Sequence, residues 1–283
     1  MIFLNFLPIS LISFWMKTVN LQAAGGMLPK FPCLPIAVII YHINTLFMKK
    51  RLLFLCVVLT IMTTNGRADS YLTVNDMPNA MNYLPKHPTP LDHTYYDDWV
   101  QYCWGKTVRD TPRGNQAFVD ATYSAAAIAT TFNPAFGMTI SKSNTPELYT
   151  LLSRVISDCS NGTNKAKNGY MRKRPFDLYD ETSLTPSAEA SLKKNGSYPS
   201  GHTTAGWTFA LILAEINPER QDTILSRGYQ YGQSRVICGV HYQSDVTAGR
   251  MVASAVVARL HADPAFMEQL KKAKEEFATK SGK

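Results

Sequence analysis

The chain has 283 residues, of which 45% are hydrophobic, and a formal net charge of +8. This length and composition suffice for one globular domain with a sizeable core, and they exclude a disordered or a fibrous chain. The basic residues do not gather into one long run, so we expect no nucleic-acid binding, although a positive balance suits small anionic ligands.

A secretory signal sequence is predicted at residues 48–68. Met48–Arg51 supplies a positive segment, Leu52–Met62 an apolar one, and Gly66–Ala68 the small residues that signal peptidase reads. The apolar segment has eleven residues, whereas a membrane span takes about 20. We therefore expect cleavage after Ala68, which would leave a periplasmic protein without stable membrane insertion; a retained membrane anchor is the alternative.

Residues 1–47 do not fit in front of such a signal, because the positive segment of a signal sequence stands at the N-terminus. The simplest interpretation is an over-extended reading frame, with translation starting at Met48. A genuine membrane-associated extension is the alternative.

The region after the signal begins with an irregular stretch. Residues 69–98 are rich in Pro, Asn and Tyr and have no regular period, so we predict an arm over the surface of a helical domain at residues 99–283. Thr145-Pro146-Glu147 predicts a helix start, and apolar residues follow at helical spacing to Cys159. The pattern weakens at Asn161-Gly162 and resumes as far as Pro175.

Further helices are predicted at Thr203–Ile216, at Arg220–Cys238, at Ser244–His261 with Ser244 as N-cap, and from Asp263-Pro264 onward. Alternation of apolar and polar residues, which is typical of strands, is nearly absent. The fold class that follows is all-α, a single-domain helical bundle.

Three cysteines follow the signal: Cys103, Cys159 and Cys238. They allow at most one disulfide, and the sequence leaves their pairing open. No C-x-x-C pair occurs, which argues against a cysteine zinc site.

The first candidate site residues are Lys167 and Arg174, the latter directly before Pro175. Residues seven apart are about two helical turns apart, so we predict both side chains on one helix face, where two cations suit an anion. A solvated face would explain this pair equally well.

The second candidate cluster is Pro199-Ser200-Gly201-His202, directly before an apolar helix. A helix N-terminus presents free N–H groups and a positive dipole end, and is therefore an anion site. Ser200 adds a hydroxyl, Gly201 lets an oxyanion approach the backbone, and His202 can supply a proton. An ordinary capped loop is the alternative.

The third cluster is Ser234-Arg235, followed by His241 and Asp245. A histidine nucleophile needs a second group to fix its tautomer, and a carboxylate four residues on can reach the ring. Arg235 offers a fork for phosphate oxygens. In isolation, a structural histidine would explain His241 as well.

In this order, the three clusters read Lys-x6-Arg-Pro, Pro-Ser-Gly-His and Ser-Arg-x5-His-x3-Asp. The combination resembles the phosphatidic acid phosphatase type 2 (PAP2) and vanadium haloperoxidase superfamily. The stretches Asn195–His202, Leu213–Pro218 and Ser234–Gly239, with GKTVRDTPRG at residues 105–114, are similar to class A bacterial non-specific acid phosphatases. The resemblance covers roughly residues 96–277, but the arm lacks the usual run of prolines and no cysteine occurs near Thr182.

The resemblance implies an acid phosphatase that cleaves small phosphate monoesters through a phosphohistidine on His241, without metal or other cofactor. Asp245 would orient His241, and His202 would protonate the leaving group. The phosphate would be bound by five groups, which are Lys167, Arg174, Ser200, Gly201 and Arg235. Relatives also imply a homo-oligomer.

Four alternatives have distinct expectations. An apyrase-like enzyme would cleave nucleoside di- and triphosphates. A vanadium haloperoxidase would use His241 as a vanadate ligand, and such enzymes are usually much longer. A membrane lipid phosphatase would need several apolar spans, and a non-enzymatic phosphate-binding module would need neither histidine.

Overall fold

The computed structural model describes residues 70–282, which contain eleven α-helices, one 3-10 helix and no β-strand. The predicted all-α class is thereby confirmed for this part of the chain. The described residues belong to one compact unit, Asn65–Lys283. The predicted extension at residues 1–47 and the predicted signal at residues 48–68 lie outside the described residues.

In chain order, the α-helices are α1 (Ala80–Tyr83), α2 (His93–Thr107), α3 (Pro112–Val119), α4 (Ala125–Phe136), α5 (Pro146–Tyr170), α6 (Pro175–Leu178), α7 (Pro186–Leu192), α8 (Gly201–Ile216), α9 (Gln221–Ile237), α10 (Gln243–Leu260) and α11 (Pro264–Ser281). The 3-10 helix is Pro218–Arg220, between α8 and α9.

Helix α8 forms the centre of the bundle. It packs against α4, α5, α9 and α10, and Phe209, Ala210, Ile212 and Leu213 are fully buried. A helix that is hydrophobic around its circumference is stable only when other elements cover it on all sides. The N-terminus of α8, where Gly201 and His202 lie, is consequently held by several neighbouring helices.

Helices α8 and α9 approach closely through two glycines. A Cβ atom at Gly206 would overlap with the ring of Tyr231, and one at Gly228 would overlap with Ala210. Tyr231 is fully buried and has no room to move aside. Gly206 and Gly228 therefore set the distance between these two helices.

Helix α5 is continuous through Gly162, where the sequence pattern weakens. Gly162 faces Val256 of α10, so the glycine serves helix packing and does not mark a helix end. The helix stops earlier than predicted, because Met171 adopts a left-handed conformation with φ of 44°. At its start, the carboxylate of Glu276 accepts the N–H of Leu148 at 3.0 Å.

The predicted start of α11 is confirmed, since the helix begins at Pro264, and Asp263 caps it by accepting the N–H groups of Ala265 and Phe266. The predicted cap of α10 is wrong. This helix begins at Gln243 with Tyr242 at the N-cap position, and the N–H and hydroxyl of Ser244 donate to Asp98 of α2 at 2.8 and 2.6 Å.

The predicted irregular arm is only partly irregular. Helix α2 begins at His93, six residues before Trp99 (99 − 93 = 6), and α1 precedes it. Tyr71 and Leu72 are buried in the core, and their N–H groups donate to Asp158 of α5 at 3.1 and 3.0 Å. The segment therefore contributes to the core instead of only covering it.

We predict that Gly206→Ala lowers the free energy of unfolding by about 1–3 kcal/mol, since the added methyl group overpacks a rigid interface. The matched control is Gly169→Ala on α5, where the new Cβ meets only the flexible end of Met81. Its effect should stay within about 0.5 kcal/mol of zero. Urea unfolding of both variants measures this, and equal effects would contradict the proposed packing constraint.

Candidate active site

A cavity of about 220 Å³ opens where α5, α8 and the segments around α6 and α10 meet. Five of the predicted site residues line it, namely Lys167, Arg174, Gly201, His202 and His241. The other three, Ser200, Arg235 and Asp245, are almost completely buried. The fold thus brings the three sequence clusters to one place.

Four chain segments supply these side chains. Lys167 comes from the last turn of α5, and Arg174 precedes α6. Ser200 caps α8, so Gly201 and His202 occupy its first turn, and Asp245 lies in the first turn of α10. The cavity therefore faces a helix N-terminus, as the sequence predicts for an anion site.

The predicted arrangement of Lys167 and Arg174 on one helix face is wrong. Helix α5 ends at Tyr170, and Arg174 is extended, with φ of −78° and ψ of 157°. The ring of Pro175 disfavours a helical conformation for the residue before it. The two cations still line the same cavity, but they reach it from two different elements.

Both ring nitrogens of His241 have partners. Its Nδ1 lies 3.3 Å from Asp245 Oδ2, and its Nε2 lies 3.0 Å from Nη1 of Arg174. A guanidinium only donates, so Nε2 accepts and the ring proton stays on Nδ1, toward the carboxylate. Burial, and then the charge of Arg174, hold the pKa of His241 well below its ordinary value. The ring is therefore neutral, with its lone pair on the cavity side.

Asp245 is buried and receives four hydrogen bonds. Oδ2 accepts from Nδ1 of His241, from the hydroxyl of Ser197 and from the N–H of Tyr242, and Oδ1 accepts from Arg172 at 2.6 Å. Burial favours the neutral acid, but the charge of Arg172 and the hydrogen bonds from His241 and Ser197 together outweigh it and hold the pKa of Asp245 below its ordinary value. The carboxylate therefore stays ionised at acidic pH.

His202 has a fixed orientation as well. Its Nε2 lies 3.0 Å from the carbonyl oxygen of Ala121, and its ring lies 4.7 Å from that of Tyr123. Since a carbonyl only accepts, Nε2 carries a proton and Nδ1 is the nitrogen that can gain or lose one. Burial, and next the charge of Arg235, hold the pKa of His202 well below its ordinary value.

Three buried cations surround this cavity without a carboxylate partner. Within residues 70–282, no ion pair involves Lys167, Arg174 or Arg235. Burial lowers the pKa of Lys167 to about 7 and that of Arg174 to about 10. The Nε of Arg235 has no hydrogen-bond partner in the described structure. An uncompensated buried charge is costly, so the site is arranged for an anion that neutralises it.

Neutral oxygen atoms hold two of these cations in place. Lys167 donates to the carbonyl of Gly196 at 2.9 Å. Arg174 donates to the carbonyl of Leu192 at 2.9 Å and to Oδ1 of Asn195 at 2.6 Å. These bonds orient the cations and leave their charge available.

Gly201 leaves space beside the helix N-terminus. A Cβ at this position would lie 3.6 Å from Cε of Lys167 and 3.7 Å from Oγ1 of Thr163. The glycine is therefore not required by protein packing, and its missing side chain leaves room next to Lys167 for a ligand atom.

Three residues around His241 were missed by the sequence interpretation. Ser197 lies within 3.3 Å of Nδ1 of His241, Arg172 binds Asp245, and Asp98 binds Arg172 at 2.8 Å. Arg172 lies two residues before Arg174, and Ser197 lies within the stretch Asn195–His202 that resembles the acid phosphatases. Those positions were the available signals. Asp98 comes from α2 and gives no signal in the sequence.

The three described cysteines are free thiols, so the one disulfide that the sequence allowed is not formed in this part of the chain. No three His, Cys, Asp or Glu side chains within residues 70–282 are close enough to hold a metal ion. None of the helices in that range is both long and apolar enough to cross a membrane.

Comparison with known proteins identifies relatives over most of the chain. The PAP2 superfamily profile matches residues 147–266. A non-specific acid phosphatase of Providencia stuartii is 47% identical over 209 residues, which are 74% of this chain and 84% of that protein. A non-specific acid phosphatase of Salmonella typhimurium is 40% identical over 237 residues, which are 83% of this chain and 95% of that protein. A lipid A 1-phosphatase of Rhizobium etli is 36% identical over 89 residues, which are 30% of this chain and 37% of that protein.

We predict opposite stability effects for two arginine variants in phosphate-free buffer. Arg235→Met removes an unpaired buried charge, so the free energy of unfolding should stay constant or rise by about 1 kcal/mol. Arg227→Met breaks a buried pair with Asp120 and should lose about 3–5 kcal/mol. Thermal unfolding with and without phosphate measures both effects. Phosphate should stabilise the Arg227 variant but not the Arg235 variant, and the reverse pattern would contradict this assignment.

Proposed function

We propose that this protein, which belongs to the PAP2 superfamily and within it to the bacterial non-specific acid phosphatases, hydrolyses phosphate monoesters through a phosphohistidine on His241. The observation that carries the proposal is a set of three buried cations without carboxylate partners, Lys167, Arg174 and Arg235. They lie around the neutral ring of His241, whose Nδ1 faces the carboxylate of Asp245 and whose Nε2 accepts from Arg174. The acid phosphatase relatives support the same reaction.

In the first step, the phosphate group of the ester enters the cavity. Its negatively charged oxygens pair with the cations Lys167, Arg174 and Arg235. The first turn of α8, at Ser200 and Gly201, supplies further hydrogen-bond donors. Arg174 exchanges its bond to Nε2 of His241 for a bond to phosphate. The lone pair of Nε2 is then free and faces the phosphorus atom.

In the second step, Nε2 attacks phosphorus in line, and the bond between phosphorus and the ester oxygen breaks. His202, protonated at Nδ1 in the presence of the anionic substrate, gives its proton to the leaving oxygen. Asp245 stabilises the positive charge that develops on the ring of His241. The product of this step is an alcohol and a phosphohistidine.

In the third step, water attacks the phosphohistidine. His202, now neutral, takes a proton from this water, and the bond between phosphorus and Nε2 breaks. Inorganic phosphate leaves and His241 returns to its neutral state. Phosphoryl transfer depends mainly on positioning and charge stabilisation, which three fixed cations and a helix N-terminus supply in place of a metal ion.

We further propose a periplasmic location, from the predicted signal at residues 48–68. Mass spectrometry of the secreted protein should find Asp69 at the N-terminus. The expected homo-oligomer also remains a prediction.

The function is tested by a phosphate-release screen on the secreted protein with EDTA present throughout. We expect turnover of several monoesters at acidic pH and inhibition by vanadate, which mimics the five-coordinate transition state. Activity only with added Mg²⁺ or Zn²⁺ would contradict metal independence. Cleavage confined to di- and triphosphates would favour an apyrase-like enzyme, and bromide oxidation with vanadate and peroxide a haloperoxidase.

The two histidines should fail differently when replaced. His241→Ala should leave almost no turnover on any ester, since the covalent route is lost. His202→Ala should cost most with an alkyl ester, whose alkoxide leaves badly, and less with nitrophenyl phosphate. Rapid denaturation in alkali after mixing with labelled aryl phosphate should trap acid-labile, base-stable protein phosphate on the His202 variant only; phosphate trapped on the His241 variant alone would reverse the two roles.

Lys167 should set the alkaline limit of phosphate binding. Its lowered pKa of about 7 means that the free protein loses this charge as pH rises through 7, so anion affinity should fall above that pH. Lys167→Arg keeps its charge at both pH 6 and pH 8. The ratio of its phosphate affinity to that of the wild type should therefore be about tenfold higher at pH 8 than at pH 6. The ratio of inhibition constants of the two proteins cancels the ionisation of phosphate itself, and the exposed Lys165→Arg is the control.

A further inference from the structure

A chain of three charged side chains extends from His241 into the protein. Asp245 accepts from Nη1 of Arg172 at 2.6 Å, and Asp98 accepts from Nη2 of the same guanidinium at 2.8 Å. All three side chains are at least nine-tenths buried. Only Asp245 belongs to the sequence pattern from which the function is derived.

We propose that Arg172 and Asp98 form a positioning unit that presents Asp245 to His241, and that the balance of their two charges sets the protonation of the nucleophile. The proposal rests on the proposed function, because it assigns a role within the same reaction. Neither residue lines the cavity around His241, so both act through Asp245.

The geometry restricts Asp245 to one orientation. Arg172 occupies Oδ1, which leaves Oδ2 to face Nδ1 of His241 at 3.3 Å. Rotation of the carboxylate would break the short bond to Arg172, a charge-assisted pair in a buried site. Arg172 therefore determines which oxygen the histidine meets.

Arg172 is itself fixed from several sides. Its guanidinium lies 4.0 Å from the ring centre of Tyr242 and donates to the hydroxyl of Ser244 at 2.8 Å. Asp98 accepts both the N–H and the hydroxyl of Ser244. The unit thereby joins α2 to the first turn of α10, the turn that carries Asp245.

The charges around His241 make the unit sensitive to single substitutions. Arg174 and Lys167 oppose protonation of the ring, Asp245 favours it, and His202 and Arg235 belong to the same cluster. Arg172 adds a positive charge behind Asp245, and Asp98 compensates for it. Loss of Arg172 should therefore favour the protonated ring, whereas loss of the Asp98 charge should disfavour it.

The test is the pH dependence of kcat/KM for an aryl phosphate in Asp98→Asn, in Arg172→Gln and in the double variant. Attack requires neutral His241, so the acid limb should move to higher pH in Arg172→Gln and to lower pH in Asp98→Asn, each by about half a unit or more. The double variant should return toward the wild type. In the two single variants, we expect kcat to fall about tenfold. KM should change less than twofold, because the phosphate-binding cations are untouched.

Ionisation of the substrate can mask the acid limb. In that case, the ring proton resonances of His241 report the shifts in its pKa directly, and they are assigned by comparison with His241→Ala. Glu181→Gln is the matched control, because it breaks an ion pair between Glu181 and Lys106 of α2 outside the unit. It should leave both readouts unchanged. If Arg172→Gln does not fold, Arg172→Lys replaces it and should keep the acid limb in place with reduced kcat, because the charge is conserved.

Shifts in the same direction in both single variants, or equal losses of activity at unchanged pH dependence, would overturn the proposal in favour of a purely structural network. A wild-type protein that releases no phosphate from any ester would refute the proposed function instead, so the two failures are distinguishable.

Discussion

The arrangement of this site depends on positive charge that is buried without negative charge beside it. Lys167, Arg174 and Arg235 lie in the protein interior, and neutral oxygens orient two of them. Such a cluster is unfavourable by itself and becomes favourable when an anion binds. The free energy that offsets this cost has to come from the packing of the helices around the cluster. The tight contact of α8 with α9 through Gly206 is one part of that packing.

The same protein pairs its other buried arginines with carboxylates. Arg227 contacts Asp120, and Arg172 contacts both Asp98 and Asp245. None of these paired side chains lines the cavity around His241, so the charge that a ligand meets and the charge that fixes the structure come from different residues. His202 and His241 are neutral mainly because they are buried, and next because Arg235 and Arg174 oppose their protonation, although the carboxylate of Asp245 lies in direct contact with His241.

Much of this organisation was predictable, for identifiable physical reasons. Helical periodicity predicts the apolar face of α5 and the burial of α8 directly, and the Asp263-Pro264 pair predicts the start of α11. The three motifs identify the residues around the cavity because they are short and contiguous. The break of α5 at Met171, inside the first motif, moves Arg174 off the helix. It was not predicted, because the helical pattern of the sequence continues as far as Pro175. Asp98 could not be found at all, because its role arises from the packing of α2 against α10.

The contact between Arg174 and Nε2 of His241 has a consequence for chemical selectivity. Nε2 of His241 accepts from a guanidinium, so in the proposed mechanism its lone pair is not available for attack until substrate binds. In that mechanism, only a molecule with enough negative oxygen to draw the guanidinium away releases it. Neutral esters, carbonyl compounds and other electrophiles that reach the cavity lack that capacity. In the proposed mechanism, recognition and activation are thus one event, and the buried histidine remains unreactive until its own class of substrate binds.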